Sequence, residues 1–181
     1  MTGTSKDPDR LIATASQTVG PFFHFALTPD GVRNEGRPNP DAAAMQLAIY
    51  VTDGQGQAVG DAMIEIWVAG GDGPCAFARL PTHADGTCAF DTVRPAAVTG
   101  GAGARQAAHV SVCIFARGLL RQLYTRIYFA GDSALDDDDV LALVPVDRRG
   151  TLVATSDSAH ADRWIFHLRL QGPDETVFFD V

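Results

Sequence analysis

The feature that most constrains the fold is a pair of alternating segments within residues 108–129. In the first segment, every second residue is apolar and β-branched, at Val110, Val112 and Ile114, and residues 123–129 alternate in the same way. A period of two is typical of a β-strand with one buried face. The connection between the segments, ARGLLRQ, contains two arginines and a glycine. We predict two neighbouring strands whose connection holds an arginine at the rim of a sheet.

Further segments of this kind predict an all-β fold. Together with the first two they make about eight short strands, at residues 45–52, 63–68, 87–93, 108–116, 123–129, 151–155, 163–170 and 176–181. Turn signals such as Asp53-Gly54 separate them, and no long segment has helical periodicity. We therefore expect a β-sandwich of about eight short strands with long loops. Residues 70–74 are predicted to interrupt the strands.

The chain length favours one domain. Its 181 residues, of which 46% are hydrophobic, suffice for a single core, so we predict one domain spanning residues 1–181. An N-terminal arm is expected at about residues 1–27. Within it, the turn at Gly20-Pro21 precedes three phenylalanines in residues 22–25. Because large aromatic rings gain much from leaving water, we expect the arm to pack on its own domain or on a partner.

Composition excludes several classes of function. The net charge is −8 and no basic run occurs, which argues against a nucleic-acid-binding protein. The three cysteines are widely spaced and odd in number, so neither a disulfide framework nor a zinc ribbon is expected. The polar N-terminus has no signal-peptide pattern, and no apolar run approaches a membrane span. These observations favour a cytoplasmic protein that does not associate with membranes.

Candidate chemical groups are few. No HxH, HExxH or GxSxG motif occurs, and Cys113 within an apolar strand is predicted to be a small core residue. His109 opens the central strand; it is either a hydrogen-bonded structural histidine, which we favour, or part of a metal site that needs further ligands. Glu65 either faces solvent or pairs with an arginine. The four aspartates at residues 136–139 are interpreted as a solvated loop or helix start and not as a calcium site.

Arg117 differs from the other arginines by its position. It directly follows an apolar strand and precedes Gly118, which places it at the predicted rim of the sheet. A guanidinium there could offer up to five hydrogen-bond donors to a carboxylate or phenolate. The alternative is a rim arginine paired with a surface acid. The residues alone thus indicate an acidic β-sandwich without a self-contained active site.

Three ordered motifs resemble the alpha chains of the intradiol ring-cleaving dioxygenase family. They are SQTVGPFF at residues 16–23, IFARGLLRQLYTRIYF at residues 114–129 and LRLQGPDETVFFDV at residues 168–181. The similarity runs from about residue 15 to the last residue. The resemblance implies a β-sandwich core and an assembly of alpha and beta chains. It also implies cleavage of protocatechuate by O2 to 3-carboxy-cis,cis-muconate, at a ferric iron held by two tyrosines and two histidines of the beta chain.

The family's iron ligands have no complete counterpart in this chain. Where the iron-bearing beta chains read RPAHIH, residues 106–111 here read QAAHVS. One histidine, His109, remains as a remnant of the ligand motif. The two tyrosine positions fall near Cys75 and Val98. The resemblance therefore implies that this chain binds no metal and that the Fe(III) is carried by the partner beta chain.

The resemblance also implies a role in lining the partner's pocket. In the family, the alpha-chain arm and the arginine of the FARG motif reach the active site of the beta chain. The matching positions here are Thr18, Gly20, Pro21 and Arg117. The family's tyrosine after Gly-Pro is Phe22 here, which lacks the hydroxyl. A glycine and a proline would give a rigid, close wall, and the arginine would add positive potential near an anionic substrate.

Two alternatives stay open. The chain could be a non-catalytic β-sandwich that serves as a binding or structural module. It could also be the alpha-like chain of an intradiol enzyme that acts on another catechol. An intact FARG segment favours a role in catalysis, because a module free of catalysis has no need for an arginine at that rim.

Overall fold

The computed structural model describes residues 14–20, 23–28, 32–33, 43–70 and 73–181. Within these residues the arm contains one short helix, α1 (Phe23–Leu27). The strands in the same residues are β1 (Val32–Arg33), β2 (Ala44–Thr52), β3 (Ala62–Gly70), β4 (Gly73–Pro81), β5 (Thr87–Val93), β6 (Val98–Thr99), β7 (Arg105–Gln106), β8 (Val110–Ala116), β9 (Leu123–Phe129), β10 (Val153–Ser156) and β11 (Arg163–Arg169). Short 3-10 segments occur at Gly101–Gly103, Ser133–Asp137, Leu141–Leu143 and Val146–Leu152.

The main sheet folds over a single core. Its strand order is β1-β4-β3-β8-β9-β10-β11-β2-β5, and β6 pairs with β7 separately. The half that contains β3, β8 and β9 is antiparallel, and a short parallel pairing of β9 with β10 joins it to the half that contains β11, β2 and β5. Strands β4 and β5 also approach each other, so the sheet is nearly closed. The prediction of an all-β sandwich is confirmed.

The alternation along β8 is the reason this strand lies at the centre of the fold. Val110, Val112 and Ile114 are fully buried, whereas Ser111 and Cys113 on the other face are only partly buried. Burying every second side chain removes apolar area from water and fixes the register, because a shift of one residue would expose the whole apolar set. The inward side chains of β8 pack with those of β2, β3, β5 and β11. They form one buried cluster that contains residues from both halves of the sheet.

Several local predictions were wrong. Strand β4 (Gly73–Pro81) was not predicted: it begins within residues 70–74, which were predicted only as a break, and it pairs with β3 over most of its length. The C-terminal segment, residues 176–181, makes only an isolated bridge between Phe179 and Tyr124. Cys113 is not a core residue: it lies half-buried on the outer face of β8, where burial and the charge of Glu65 raise the pKa of its thiol. In a β-strand with one buried face, every second side chain points away from the core, and Cys113 occupies such a position.

No helix in the described ranges is both long and apolar enough to cross a bilayer. The helical segments that are present span a few residues each.

Candidate functional site

The rim of the sheet between β8 and β9 carries Arg117. Strand β8 ends at Ala116, and a tight turn follows in which the amide of Leu119 donates to the carbonyl of Ala116 at 3.2 Å. Gly118 has a φ of +90°, a conformation that side-chain-bearing residues rarely adopt. The sequence Arg-Gly after a buried strand thus fixes where the arginine leaves the sheet.

Thr18 of the arm binds this turn on both sides of Arg117. Its Oγ1 accepts a hydrogen bond from the amide of Gly118 at 2.7 Å and donates to the carbonyl of Ala116 at 3.5 Å. Thr18 and Gly118 are 100 residues apart in sequence. The arm segment therefore lies directly on the rim, and two of the predicted pocket residues, Thr18 and Arg117, are neighbours in the structure.

The arm and the rim together enclose a small cavity. It has a volume of about 210 Å³ and is lined by Gln17 and Val19 from the arm and by residues of the β8–β9 connection, including Leu119 and Leu120. Leu120 is 61% exposed, although it is large and apolar. The arginine that lines this cavity is Arg121 and not Arg117, so the incompletely covered apolar surface lies next to Arg121.

Gly20 lies just beyond this contact. It is exposed, and among the described residues no atom outside its two chain neighbours lies within 4 Å of the position that a Cβ would take. The described contacts therefore leave open space beside Gly20. Pro21 and Phe22 lie outside the described residues, and the predicted role of Pro21 stays a prediction.

Arg117 makes an ion pair with Asp61. Its Nε donates to Oδ2 of Asp61, and the side chain of Arg117 remains 58% exposed. The terminal nitrogens Nη1 and Nη2 bind no partner among the described residues. The surface acid that the sequence suggested as an alternative partner is thus present, and it leaves the outer edge of the guanidinium open. No local pattern in the sequence singles out Asp61.

His109 has the environment of a structural histidine. It is 5% exposed, and its Nδ1 donates to the carbonyl of Ala107 at 2.8 Å. Burial lowers the pKa of His109 despite that hydrogen bond, so the imidazole is neutral at pH 7. With Nδ1 engaged in this way, only Nε2 would be free to bind a metal.

The other positions that match the family's ligand segment are bound to protein groups. Gln106 Oε1 accepts from Nη1 of Arg126 at 3.0 Å, and the Ser111 hydroxyl accepts from Tyr124 at 3.0 Å. In the part of the chain that the structure describes, no three His, Cys, Asp or Glu side chains are placed to hold a metal ion. The guanidinium of Arg126, which binds Gln106, also brings positive charge to this segment. Taken together, the described positions that match this segment therefore do not fit a ferric iron.

Asp138 stabilises the segment that precedes β8. It is 1% exposed, and its Oδ2 accepts from the amide of Ala107 at 2.7 Å. Its Oδ1 accepts from the amides of Val140 and Leu141 and from the Tyr128 hydroxyl at 3.2 Å. Burial raises the pKa of Tyr128 to about 12. Of the four aspartates predicted to form a solvated loop or helix start, this one is buried, and it accepts from the amide of Leu141, the first residue of the short helical turn at Leu141–Leu143.

Comparison with known proteins identifies the family. No protein-family model matches the chain. The chain is 37% identical to the protocatechuate 3,4-dioxygenase alpha chain of Burkholderia cepacia, over 94% of this chain and 98% of that protein. The chain belongs to the protocatechuate 3,4-dioxygenase alpha chains. The alpha chain of Pseudomonas putida is 34% identical over 94% of this chain and 97% of its own length.

The alpha-chain family is itself related to other ring-cleaving dioxygenases. The protocatechuate 3,4-dioxygenase beta chain of Burkholderia cepacia is 26% identical over 89% of this chain and 77% of that protein. Among solved structures, catechol 1,2-dioxygenase from Pseudomonas arvilla C-1 superposes with a TM-score of 0.59 at 25% identity, covering 78% of this chain and 57% of that chain. For 3-chlorocatechol 1,2-dioxygenase from Rhodococcus opacus 1CP the TM-score is 0.60 at 18% identity, over 74% of this chain and 61% of that chain. The alpha chain therefore has the intradiol dioxygenase fold.

Proposed function

We propose that this chain is the non-catalytic alpha chain of a protocatechuate 3,4-dioxygenase and lines the active-site pocket of an iron-bearing beta chain. The reaction is the intradiol cleavage of protocatechuate by O2 to 3-carboxy-cis,cis-muconate. The pocket-lining residues are Thr18, Gly20, Pro21 and Arg117. Bound in the beta chain, the ferric iron would supply the chemistry that lets O2 attack the catechol ring.

The observation that carries this proposal is the contact between the arm and the rim. Thr18 binds the backbone on both sides of Arg117, so the two motifs that resemble the family's pocket wall form one surface. The hydrogen bond from the rim to Thr18 would hold both segments in a fixed relation, as a pocket wall that orients a substrate requires.

The chemistry of this surface suits an anionic aromatic substrate. The open edge of the Arg117 guanidinium can donate to a carboxylate, and its charge raises the local potential in a chain whose net charge is −8. The exposed apolar side chain of Leu120, in the same β8–β9 connection, can cover part of a partner or a ring. Near Gly20, the open space allows the backbone of the arm to approach a partner closely.

The decisive experiment replaces Arg117 in the assembled enzyme. We expect Arg117→Ala, co-purified with the beta chain, to lower kcat/KM for protocatechuate by roughly 10- to 100-fold, the usual value of a charge-assisted hydrogen bond to a substrate. Arg105→Ala is the matched control, because Arg105 is another exposed arginine in an ion pair, with Asp137. Assembly, followed by size-exclusion chromatography, should be intact in both variants. An unchanged rate for Arg117→Ala would support the non-catalytic module instead.

The proposed assignment of iron binding and catalysis to the beta chain has its own test. Purified alone, this chain should take up no stoichiometric ferric iron and cleave no protocatechuate, since the described positions that match the ligand segment are engaged with protein groups. Iron uptake by the single chain, measured by metal analysis, would refute the proposed assignment of the metal to the beta chain.

Two further parts of the proposal concern the chain as a whole. We propose that residues 1–181 form one domain, which is supported by the hydrogen bonds of Thr18 from the arm to the rim of the sheet. We also propose the cytoplasm as its location, which is supported by the free thiols of Cys88 and Cys113.

A further inference from the structure

The strand register places Asp61 opposite Arg117. Strands β3 and β8 are antiparallel, and their ladder includes the pair Ala62–Ala116. Asp61 directly precedes that pair on one strand and Arg117 directly follows it on the other, so the two residues lie opposite each other just beyond the ladder. Directly opposed residues of antiparallel strands lie close enough for charged side chains to meet. The ion pair is thus a consequence of the register of two central strands.

The backbone that carries Asp61 is held by a buried threonine. Thr82 Oγ1 accepts from the amide of Ala62 at 3.0 Å and donates to the carbonyl of Val59 at 2.8 Å. The amide of Thr82 in turn donates to the carbonyl of Ala62 at 2.9 Å. At Gly60, a Cβ would lie 2.8 Å from the Cα of Ala84, so the turn packs tightly against the neighbouring loop. Asp61 is therefore presented from a fixed turn.

Arg117 is presented from an equally fixed turn, because Thr18 binds the backbone on both sides of it. The long side chain would still be free to change rotamer. Asp61 restricts it by accepting from Nε and leaves Nη1 and Nη2 unpaired among the described residues. A guanidinium held at Nε presents its two terminal nitrogens as a planar, bidentate edge.

We propose that Asp61 is a positioning residue, which fixes Arg117 through Nε so that the Nη1–Nη2 edge receives the carboxylate of an anionic catechol substrate. This inference rests on the proposed function, because it requires Arg117 to face the substrate. Asp61 is not a catalytic residue, since it acts through Arg117. Hydrogen bonds of Thr82 hold the backbone near Asp61, and hydrogen bonds of Thr18 hold the backbone around Arg117.

Two effects of Asp61 on substrate binding oppose each other. Its negative charge reduces the positive potential that attracts the substrate, whereas its hydrogen bond lowers the conformational entropy that Arg117 loses on binding. Because the pair is exposed, salt and water weaken the charge effect more than they weaken the restriction of the rotamer. We therefore expect positioning to dominate.

Two substitutions separate these effects in the assembled enzyme. Asp61→Ala removes both the acceptor and the charge, whereas Asp61→Asn keeps an acceptor oxygen and removes only the charge. We expect Asp61→Ala to raise KM for protocatechuate about five-fold with kcat within about two-fold, and Asp61→Asn to recover most of the loss. KM for catechol, which has no carboxylate, should not change. Asp174→Ala is the control, because Asp174 is another exposed acid paired with an arginine, Arg169.

The same substitution in an Arg117→Ala background distinguishes failure of the inference from failure of the proposed function. If the inference holds, Asp61→Ala has no further effect on KM in that background. If Arg117→Ala raises KM but Asp61→Ala leaves it unchanged or lowers it, Asp61 does not position the arginine and the inference is wrong. If Arg117→Ala itself leaves KM unchanged, the proposed function fails, and the inference fails with it.

A spectroscopic readout tests the ion pair without turnover. In the isolated chain, the Nε–H signal of Arg117 should be detectable by NMR and protected from exchange with water. We expect Asp61→Ala to abolish this protection and Asp61→Asn to retain it in part. An Nε–H signal that Asp61→Ala leaves unchanged would overturn the inference whatever the kinetics.

Discussion

The contact between the arm and the rim depends on one hydroxyl, and Thr18→Val removes it while the branched shape of the side chain is kept. The bond to the Gly118 amide, at 2.7 Å, has the length of a good hydrogen bond, whereas the contact with the carbonyl of Ala116, at 3.5 Å, is long enough to contribute little. One such bond contributes about 1 kcal/mol net. Because Thr18 is exposed, water can hydrate the released amide, so no further desolvation cost is expected.

A loss of about 1 kcal/mol shifts the equilibrium between a docked and an undocked arm about five-fold toward the undocked form. The amide of Gly118 should therefore exchange its hydrogen about five-fold faster, as measured by NMR or mass spectrometry on the isolated chain. In the assembled enzyme, KM for protocatechuate should rise by no more than this factor, because a change in docking can cost binding only as much as the docking free energy changes.

Thr18→Ser is the matched control, since it keeps the hydroxyl and loses only a methyl group. It should retain most of the protection at Gly118. If Thr18→Val left the exchange of that amide unchanged, the hydroxyl would not be the link between arm and rim, and the reasoning behind the proposed pocket wall would lose its main support.

Two further predictions concern stability. We expect Asp138→Ala to lower the free energy of unfolding by about 3 kcal/mol, because several buried donors lose their acceptor at once. Urea unfolding measures this change. Asp136→Ala is the control, because Asp136 is exposed. The lowered pKa of His109 means that the unfolded chain binds a proton more readily than the folded chain. The free energy of unfolding should therefore fall as the pH drops below about 6.5, by at most about 1.4 kcal/mol per pH unit for this group. His109→Gln should flatten that part of the profile, and an identical profile in both proteins would contradict the assignment.

Periodicity in the sequence predicted the strands that have one clearly buried face. The alternation of residues 110–116 became β8, and the alternation of Arg163–Arg169 became β11. The hydrophobic effect acts on this pattern directly, which makes such strands readable from a single sequence. Strand β4 was missed because it begins at a Gly-Pro pair and contains small residues, and its strand conformation follows from pairing with β3 and β1.

The candidate site was predictable only in part. The position of Arg117 after an apolar strand and the Gly-Pro of the arm were visible as local signals. The contact of Thr18 with the rim spans 100 residues, and only the resemblance to a family related the two segments. Asp61 carries no local signal at all, because its role arises from the register of β3 and β8. Long-range pairing is a property of tertiary structure that no local window contains.

The guanidinium of Arg126 has a consequence for how this chain could change over evolutionary time. Arg126 lies opposite Ser111 in the ladder of β8 and β9 and binds Gln106. A histidine introduced at position 111 would meet this permanent positive charge across the strand pair, where it would disfavour a bound cation. A single substitution at this position is therefore not expected to create a metal site, and replacement of Arg126 would have to accompany it.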